Sequence, residues 1–264
     1  MVDEPHDLRP YVYATLLRPS PLSRFQERAP RQTTIGAVTY LRTGHPAPDG
    51  NQVMVLGAAW PEDVFAPATE FFGSRDAYSV IVDVEAAPEV DTALRAQYWQ
   101  LDEEEPALVL TPLPARVPGH PPELTIRRVA DEATLDDFYR LSRTGRRHLP
   151  SLAAATAPGI AVFVGFVGGE AVATSRLTCL GDVADVMGVT TVPDRRRRGY
   201  GMAMTWAAVA AAAAQGCVAA ALTATALGYP VYVRMGFVPV CTFRTYLPPA
   251  PQPNGLSSWA PGSA

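Results

Sequence analysis

Residues 189–205 read VTTVPDRRRRGYGMAMT. A β-branched run stops at Pro193, four arginines follow, and Gly199-Tyr200-Gly201 leads into residues that favour helix. That order predicts a strand, a tight basic turn and a helix. Glycine at 199 and 201 lets the backbone approach an anion closely, while the free N–H groups and dipole of a helix start favour phosphate. Arg195, Arg196, Arg197 and Arg198 add positive charge at the same end, where the dipole alone contributes about 0.3–1 kcal/mol per charge. A solvated basic turn or a nucleic-acid patch accounts for the arginine run by itself. Strand, glycines and helix together point instead to a cradle for a pyrophosphate.

Working outward, 201–215 reads as a helix stopped by Gly216, 219–224 as a short buried strand, 229–235 as a short helix and 237–246 as a last strand. On the other side, 183–192 is a strand, and 160–166 with 171–180 form a hairpin around Gly168-Gly169. A strand over 124–129 and a helix over 132–142, with Leu135, Phe138, Tyr139 and Leu141 at helical spacing, open this part. The order β-α-β-β-β-α-β-α-β predicts an α/β (α+β) fold with a mixed central sheet flanked by helices. The 35 positions between Arg198 and Arg234 carry no charge, long enough for a membrane span. They are rich in Ala, Thr and Gly and broken at Gln215-Gly216 and Gly228-Tyr229-Pro230, so two buried elements are expected there.

The first part alternates too, with strands over 35–41, 53–56, 78–84 and 107–111 and helices over 61–72 and 90–100. It has no glycine-rich strand-to-helix turn and offers no obvious cofactor site. Between the parts lies TPLPARVPGHPP, residues 111–122, whose five prolines cannot continue a helix or a central strand. The expected division is therefore 1–110, a linker at 111–122, and 123–264, with a proline-rich tail from Pro248.

Composition sets the outer bounds. With 264 residues, 48% apolar and 18% charged, the chain reads as globular, in one large domain or two smaller ones. Every one of the 22 basic residues is arginine, which rules out a lysine nucleophile or Schiff base. The net charge of −4 argues against nucleic acid or an anionic membrane as partner. Residues 1–122 hold 9 Arg against 17 acids, net −8, and residues 123–264 hold 13 Arg against 9 acids, net +4, so an anionic ligand belongs to the second part. Cys179, Cys217 and Cys241 are odd in number, lack metal-ligand spacing and have no histidine at a pairing interval. They read as reduced core thiols of a cytoplasmic protein without a metal. The start, MVDEPHDLRP, has no signal-peptide pattern.

Arg196-x-x-Gly199-x-Gly201, after a strand ending Val192-Pro193, resembles the acyl-CoA signature of the GNAT superfamily of N-acyltransferases. Tyr232-Val233-Arg234-Met235-Gly236-Phe237 is similar to that family's tyrosine with its Gly-Phe ending, in the family's order. The resemblance covers about residues 123–247, while the first part loosely resembles the degenerate partner of tandem GNAT proteins. It implies that Val189, Thr190, Thr191 and Val192 hold the pantetheine arm on a splayed strand, with Gly188 as a bulge or a packing glycine. The amides of Arg197, Arg198, Gly199, Tyr200, Gly201 and Met202 would hold the pyrophosphate beside Arg196, and Thr225 would bond the arm. Tyr232 would be the general acid, and a backbone N–H near Thr190 or Thr191 would polarise the acyl carbonyl. Asp185, on the same strand, is the candidate base or else an exposed edge charge, with Asp182 weaker. His148, in a basic loop, would line the acceptor pocket or simply sit at the surface. The activity implied is direct transfer of acetyl, or another acyl group, from acyl-CoA to the amine of a small metabolite. A protein amine as acceptor, or a silent acyl-CoA-binding scaffold, are the other readings.

Overall fold

A sheet of eleven strands runs through the whole protein in a computed structural model that describes residues 7–25, 30–43, 48–73, 77–142 and 149–249. Its first half comprises α1 (Arg9–Leu17), β1 (Arg31–Ile35), β2 (Val38–Arg42), β3 (Asn51–Val55), α2 (Pro61–Phe72), β4 (Ser79–Asp83), α3 (Pro88–Ala96) and β5 (Gln100–Leu110). The second comprises β6 (Thr125–Arg128), α4 (Glu132–Leu141), α5 (Leu152–Ala155), β7 (Ile160–Val167), β8 (Glu170–Leu180) and β9 (Val183–Thr191). It ends with α6 (Tyr200–Ala214), β10 (Ala219–Thr223), α7 (Tyr229–Arg234) and β11 (Val238–Leu247). The mixed α/β architecture expected from the sequence is the one observed.

Several expectations change. The helix expected over 90–100 ends at Ala96, and the strand expected over 107–111 begins at Gln100 as the eleven-residue β5. Residues 35–41 are not one strand: the chain turns at Gly36, whose φ of +59° suits glycine, and β1 and β2 form a hairpin with Ile35 opposite Val38. The alternation simply continues through the turn. The N-terminal helix α1 was not foreseen, because its segment RPYVYATLL lacks a polar face and buries only Val12 and Ala14.

The strand order is β1-β2-β3-β4-β11-β5-β10-β9-β8-β7-β6. The last strand of each half thus lies against the penultimate strand of the other: β5 pairs antiparallel with β10, and β11 pairs antiparallel with β4. The two exchanged strands also pair with each other. Side chains lock the exchange. Arg244 of β11 donates to Asp91 of α3 at 2.8 Å, and the Tyr246 hydroxyl donates to the same carboxylate at 2.5 Å. The segment 111–122 has no regular structure, yet Leu113 and Val117 pack against the core beneath it.

Alternation assigns the two faces of the sheet. Ala184, Val186, Ala220 and Leu222 pack with α6, while Val183, Ala219 and Ala221 pack with α1. Helix α4 covers β7 on that second face through Leu135 and Phe138. The uncharged stretch between Arg198 and Arg234 divides into α6, β10 and α7. Among the described residues no helix is long and apolar enough to cross a membrane.

Removing residues 1–122 would strip β10 and β11 of the strand between them. A fragment of residues 123–264 is expected to aggregate or associate. Size-exclusion chromatography with circular dichroism checks this, and a cooperatively melting monomer would mean the exchange is dispensable.

Candidate active site

The site begins with hydrogen bonds that are not made. Parallel pairing between β9 and β10 covers only Val183–Asp185 opposite Ala219–Ala221, although β9 continues to Thr191 and β10 to Thr223. Beyond Asp185 the strands diverge. A bulge accompanies the divergence, since Thr174 opposes Thr190 while Arg176 opposes Met187, which places one extra residue on β9. Gly188 takes the left-handed conformation a bulge needs, φ +62°, and its carbonyl accepts the Thr174 hydroxyl at 2.9 Å. The bulge reading of this glycine holds.

Backbone direction along the open edge follows from one bond. The Val192 N–H donates to the Val172 carbonyl of β8 at 3.0 Å, so alternation turns the Thr190 groups toward β8 and those of Thr191 toward the gap. The Thr191 carbonyl accepts the Arg196 Nε at 3.1 Å, which leaves its N–H directed into the opening. Val189, Thr190, Thr191 and Val192 are all half-buried, as a lining must be.

Immediately after the strand, Arg197 (φ +64°) and Gly199 (φ +81°) have positive φ, and Gly199 caps α6 with no side chain over its amides. The first bond within the helix runs from the Ala203 N–H to the Gly199 carbonyl. The N–H groups of Tyr200, Gly201 and Met202 therefore lack helical acceptors. Strand and helix start meet closely: a Cβ on Gly201 would lie 3.6 Å from the Thr191 hydroxyl. Arg196, Arg197 and Arg198 are exposed around this turn, whereas Arg195 pairs with Glu170 at 3.1 Å. Tyr200 contributes its amide only. Its ring is buried, and its hydroxyl donates to Glu123 at 2.9 Å.

Tyr232 projects from α7 into the same core, against Phe237 and the backbone of Gly228. Burial raises its phenol to about 12, with Glu105 adding to the rise and the Thr205 hydroxyl opposing it. The group stays protonated at neutral pH and so has a proton to give. The Thr225 hydroxyl accepts the Gly228 N–H at 3.3 Å, so it also closes the turn into α7. Glu105 was not foreseen. It comes from β5 of the first half, accepts the Thr223 hydroxyl at 2.6 Å and stands near Tyr232. Nothing local marks it among Glu103, Glu104 and Glu105; only the strand exchange brings it here.

Asp185 is not an edge charge, because β9 is flanked by β8 and β10. It faces the α1 and α4 side, and desolvation raises its carboxyl to about 7, with Arg176 of β8 opposing the shift. Asp182 pairs with Arg18 at 2.5 Å, which holds its carboxyl below the usual range and removes it as a base. His148 lies outside the described residues. Cys217 and Cys241 are buried, and Cys179 is half-buried with its sulfur 3.2 Å from that of Cys217. Among the described residues no group of three or more His, Cys, Asp or Glu is placed to hold a metal.

The first half repeats the strand-helix-strand-helix-strand order as β3-α2-β4-α3-β5 without the opening. There, β3 stays paired with β4 to its last residue, Val55 opposite Val82. Its helix α2 starts with Glu62 and Asp63 where α6 has glycines and arginines.

Residues 127–237 match the model of the acetyltransferase (GNAT) family. No curated protein matches the chain in sequence. Among solved structures it resembles a GCN5-related N-acetyltransferase from Kribbella flavida, with TM-score 0.69 and 22% identity over 94% of this chain and 96% of that one. It also resembles a tandem GNAT protein from the clavulanic acid biosynthesis pathway, with TM-score 0.57 and 11% identity over 92% and 88% of the two chains. A third likeness, to a GCN5-related N-acetyltransferase from Sphaerobacter thermophilus, has TM-score 0.53 and 14% identity over 85% and 83%. At these identities the likeness is one of fold.

Because Arg176 holds the Asp185 carboxyl down, Arg176→Met should raise the midpoint of that carboxyl above its value of about 7. An NMR titration of the labelled carboxyl reads it, and an unmoved midpoint would separate the two groups electrically.

Proposed function

We propose that the chain transfers an acetyl or other acyl group from acyl-CoA to the amine of a small molecule by direct attack. The observation that carries this is the divergence of β9 from β10 ending at an arginine-ringed, unfilled helix start. Pantetheine is a chain of amides, and an extended amide chain suits an opening whose edge offers the Thr191 N–H. The pyrophosphate suits the amides of Tyr200, Gly201 and Met202, with Arg196, Arg197 and Arg198 around it. Thr225, beside the start of α7, is the candidate for a further bond to the arm.

The residues then divide the proton work. The amine nitrogen attacks the thioester carbonyl, whose oxygen is polarised by a backbone N–H facing the gap, and the C–S bond breaks. Tyr232 gives its proton to the departing thiolate. Asp185, short for direct contact, takes the amine proton through water. A carboxyl at about 7 is half ionised at neutral pH, so it serves as a base there and loses that capacity as pH falls. Glu105 supports a further element of the reading, that the first half walls a compact acceptor pocket. A cytoplasmic location belongs to the same reading, since Cys179, Cys217 and Cys241 are free thiols.

Tyr232→Phe should lower kcat by about 10²-fold while CoA affinity stays near wild type, measured by thiol release and calorimetry. An unchanged kcat would remove the phenol as the acid. Gly199→Asp places a side chain at φ +81° and a negative charge at the helix start, so the CoA dissociation constant should rise about tenfold or more. Equal affinity would sink the cradle.

A further inference from the structure

On the α4 side of the sheet lies a charge that the transfer chemistry leaves unused. Arg176 sits in the middle of β8 and is 6% exposed. Its Nε has no hydrogen-bond partner, its Nη2 lies against the Met187 sulfur, and no carboxylate among the described residues is within ion-pair distance. A buried guanidinium without a partner is costly, and such groups persist where something compensates them. The nearest acid is Asp185, diagonally across on β9, whose own burial weakens its hold on a negative charge.

The guanidinium also borders an opening. Cross-strand partners share a face, so Arg176 and Thr178 of β8 lie on one side of the sheet with Met187 and Asp185 of β9. Ser175, the residue before Arg176, donates to the Met204 carbonyl of α6 at 2.8 Å, which places Arg176 on the opposite, α4 side. Asp185, Met187 and Gly188 are only half-buried, so solvent reaches the sheet beside the guanidinium. Gly188 follows Met187 directly and carries the bulge of β9, beyond the end of its pairing with β10 at Asp185.

We propose that Arg176 anchors a carboxylate of the acceptor, so that the amine acylated belongs to an amino acid or a similar small zwitterion. This rests on the acyl-transfer reading and narrows its acceptor. The free Nε of the planar guanidinium offers a carboxylate one charge-assisted bond, and a shift of the Met187 side chain would open the adjacent Nη2 for a second, parallel one. One guanidinium beside one acid matches a single negative charge better than the double charge of a phosphate. Asp185 and Met187 are two residues apart on one strand, about 7 Å. That spacing suits an amine and a carboxylate on one short molecule, the amine toward Asp185. A polyamine or a lysine side chain would bring a second cation to a guanidinium that already lacks an anion.

The test uses the full chain and its Arg176→Met and Arg176→Lys variants with acetyl-CoA. Thiol release is followed over the α-amino acids and short ω-amino acids, each beside its carboxamide, together with spermidine and phosphoethanolamine. The same compounds are titrated calorimetrically into the CoA-loaded protein. At least one acid should exceed its carboxamide by tenfold or more in kcat/KM. Arg176→Met should abolish that preference through KM without lowering the melting temperature, and Arg176→Lys should restore part of it. Carboxamides or spermidine reacting as well as the acids would overturn the proposal, as would an acid preference that survives Arg176→Met. A preference for phosphoethanolamine would overturn the carboxylate assignment. If acids bind in an Arg176-dependent way and no thiol is released, the acyl-transfer reading falls and the anchor stands. If no acid binds or reacts, the anchor is withdrawn.

Discussion

Backbone amides and carbonyls inside a protein demand partners, and the second half of this one is organised around a place where that demand is left open. After Asp185 and Ala221 the parallel ladder ends while both strands continue. The local chemistry keeps the gap from closing. Gly188 absorbs the extra residue, the Thr174 hydroxyl takes the Gly188 carbonyl, and Arg196 takes the Thr191 carbonyl. The remaining donors face a space that suits an extended polar chain. The first half shows the alternative outcome for the same element order. With β3 and β4 fully paired and acids at the start of α2, the backbone demand is met internally and the helix dipole is answered by its own side chains.

Charge follows that division. Arginines that are free to meet an anion surround the start of α6, and the acids of the first half lie largely along β5 and on its helices. Glu105 is the exception with a consequence, since the strand exchange delivers it next to Tyr232. Each half therefore contributes to the surroundings of Tyr232, though one alone carries the glycine turn at a helix start. The buried Arg176 and Asp185, whose carboxyl is raised to about 7, form a second electrostatic pair on the α4 side of the sheet.

Much of this was legible from local pattern. Helix α2 begins and ends where Pro61 and the apolar spacing put it, and α6 follows its glycines as expected, because caps and periodicity are properties of adjacent residues. The glycine turn into α6 and the short helix that carries Tyr232 were legible for the same reason. What local pattern cannot carry is pairing between distant segments. Residues 101–106 fall between the helix expected to 100 and the strand expected from 107, yet they belong to β5 because β11 lies beside them. Nothing adjacent to Arg176 marks it as buried; that follows only from β9, with Met187, laid against it. Asp185 looked like an edge charge because the neighbouring strand, β10, comes more than thirty residues later.

The exchange of β5 and β11 also sets a timetable for synthesis. When Leu110 leaves the ribosome, both strands that will flank β5 are still unmade, and the second is complete only at Leu247. At ordinary elongation rates the wait is on the order of ten seconds. During it, an eleven-residue strand has two open edges, the condition in which sheets recruit the wrong partner. Five consecutive residues at its start, Asp102 to Pro106, are four acids and a proline. Such residues discourage pairing between copies through repulsion and a missing N–H. The acidic run is thus poorly suited to pairing with copies of itself, and Glu105 within it accepts the Thr223 hydroxyl once β10 is in place.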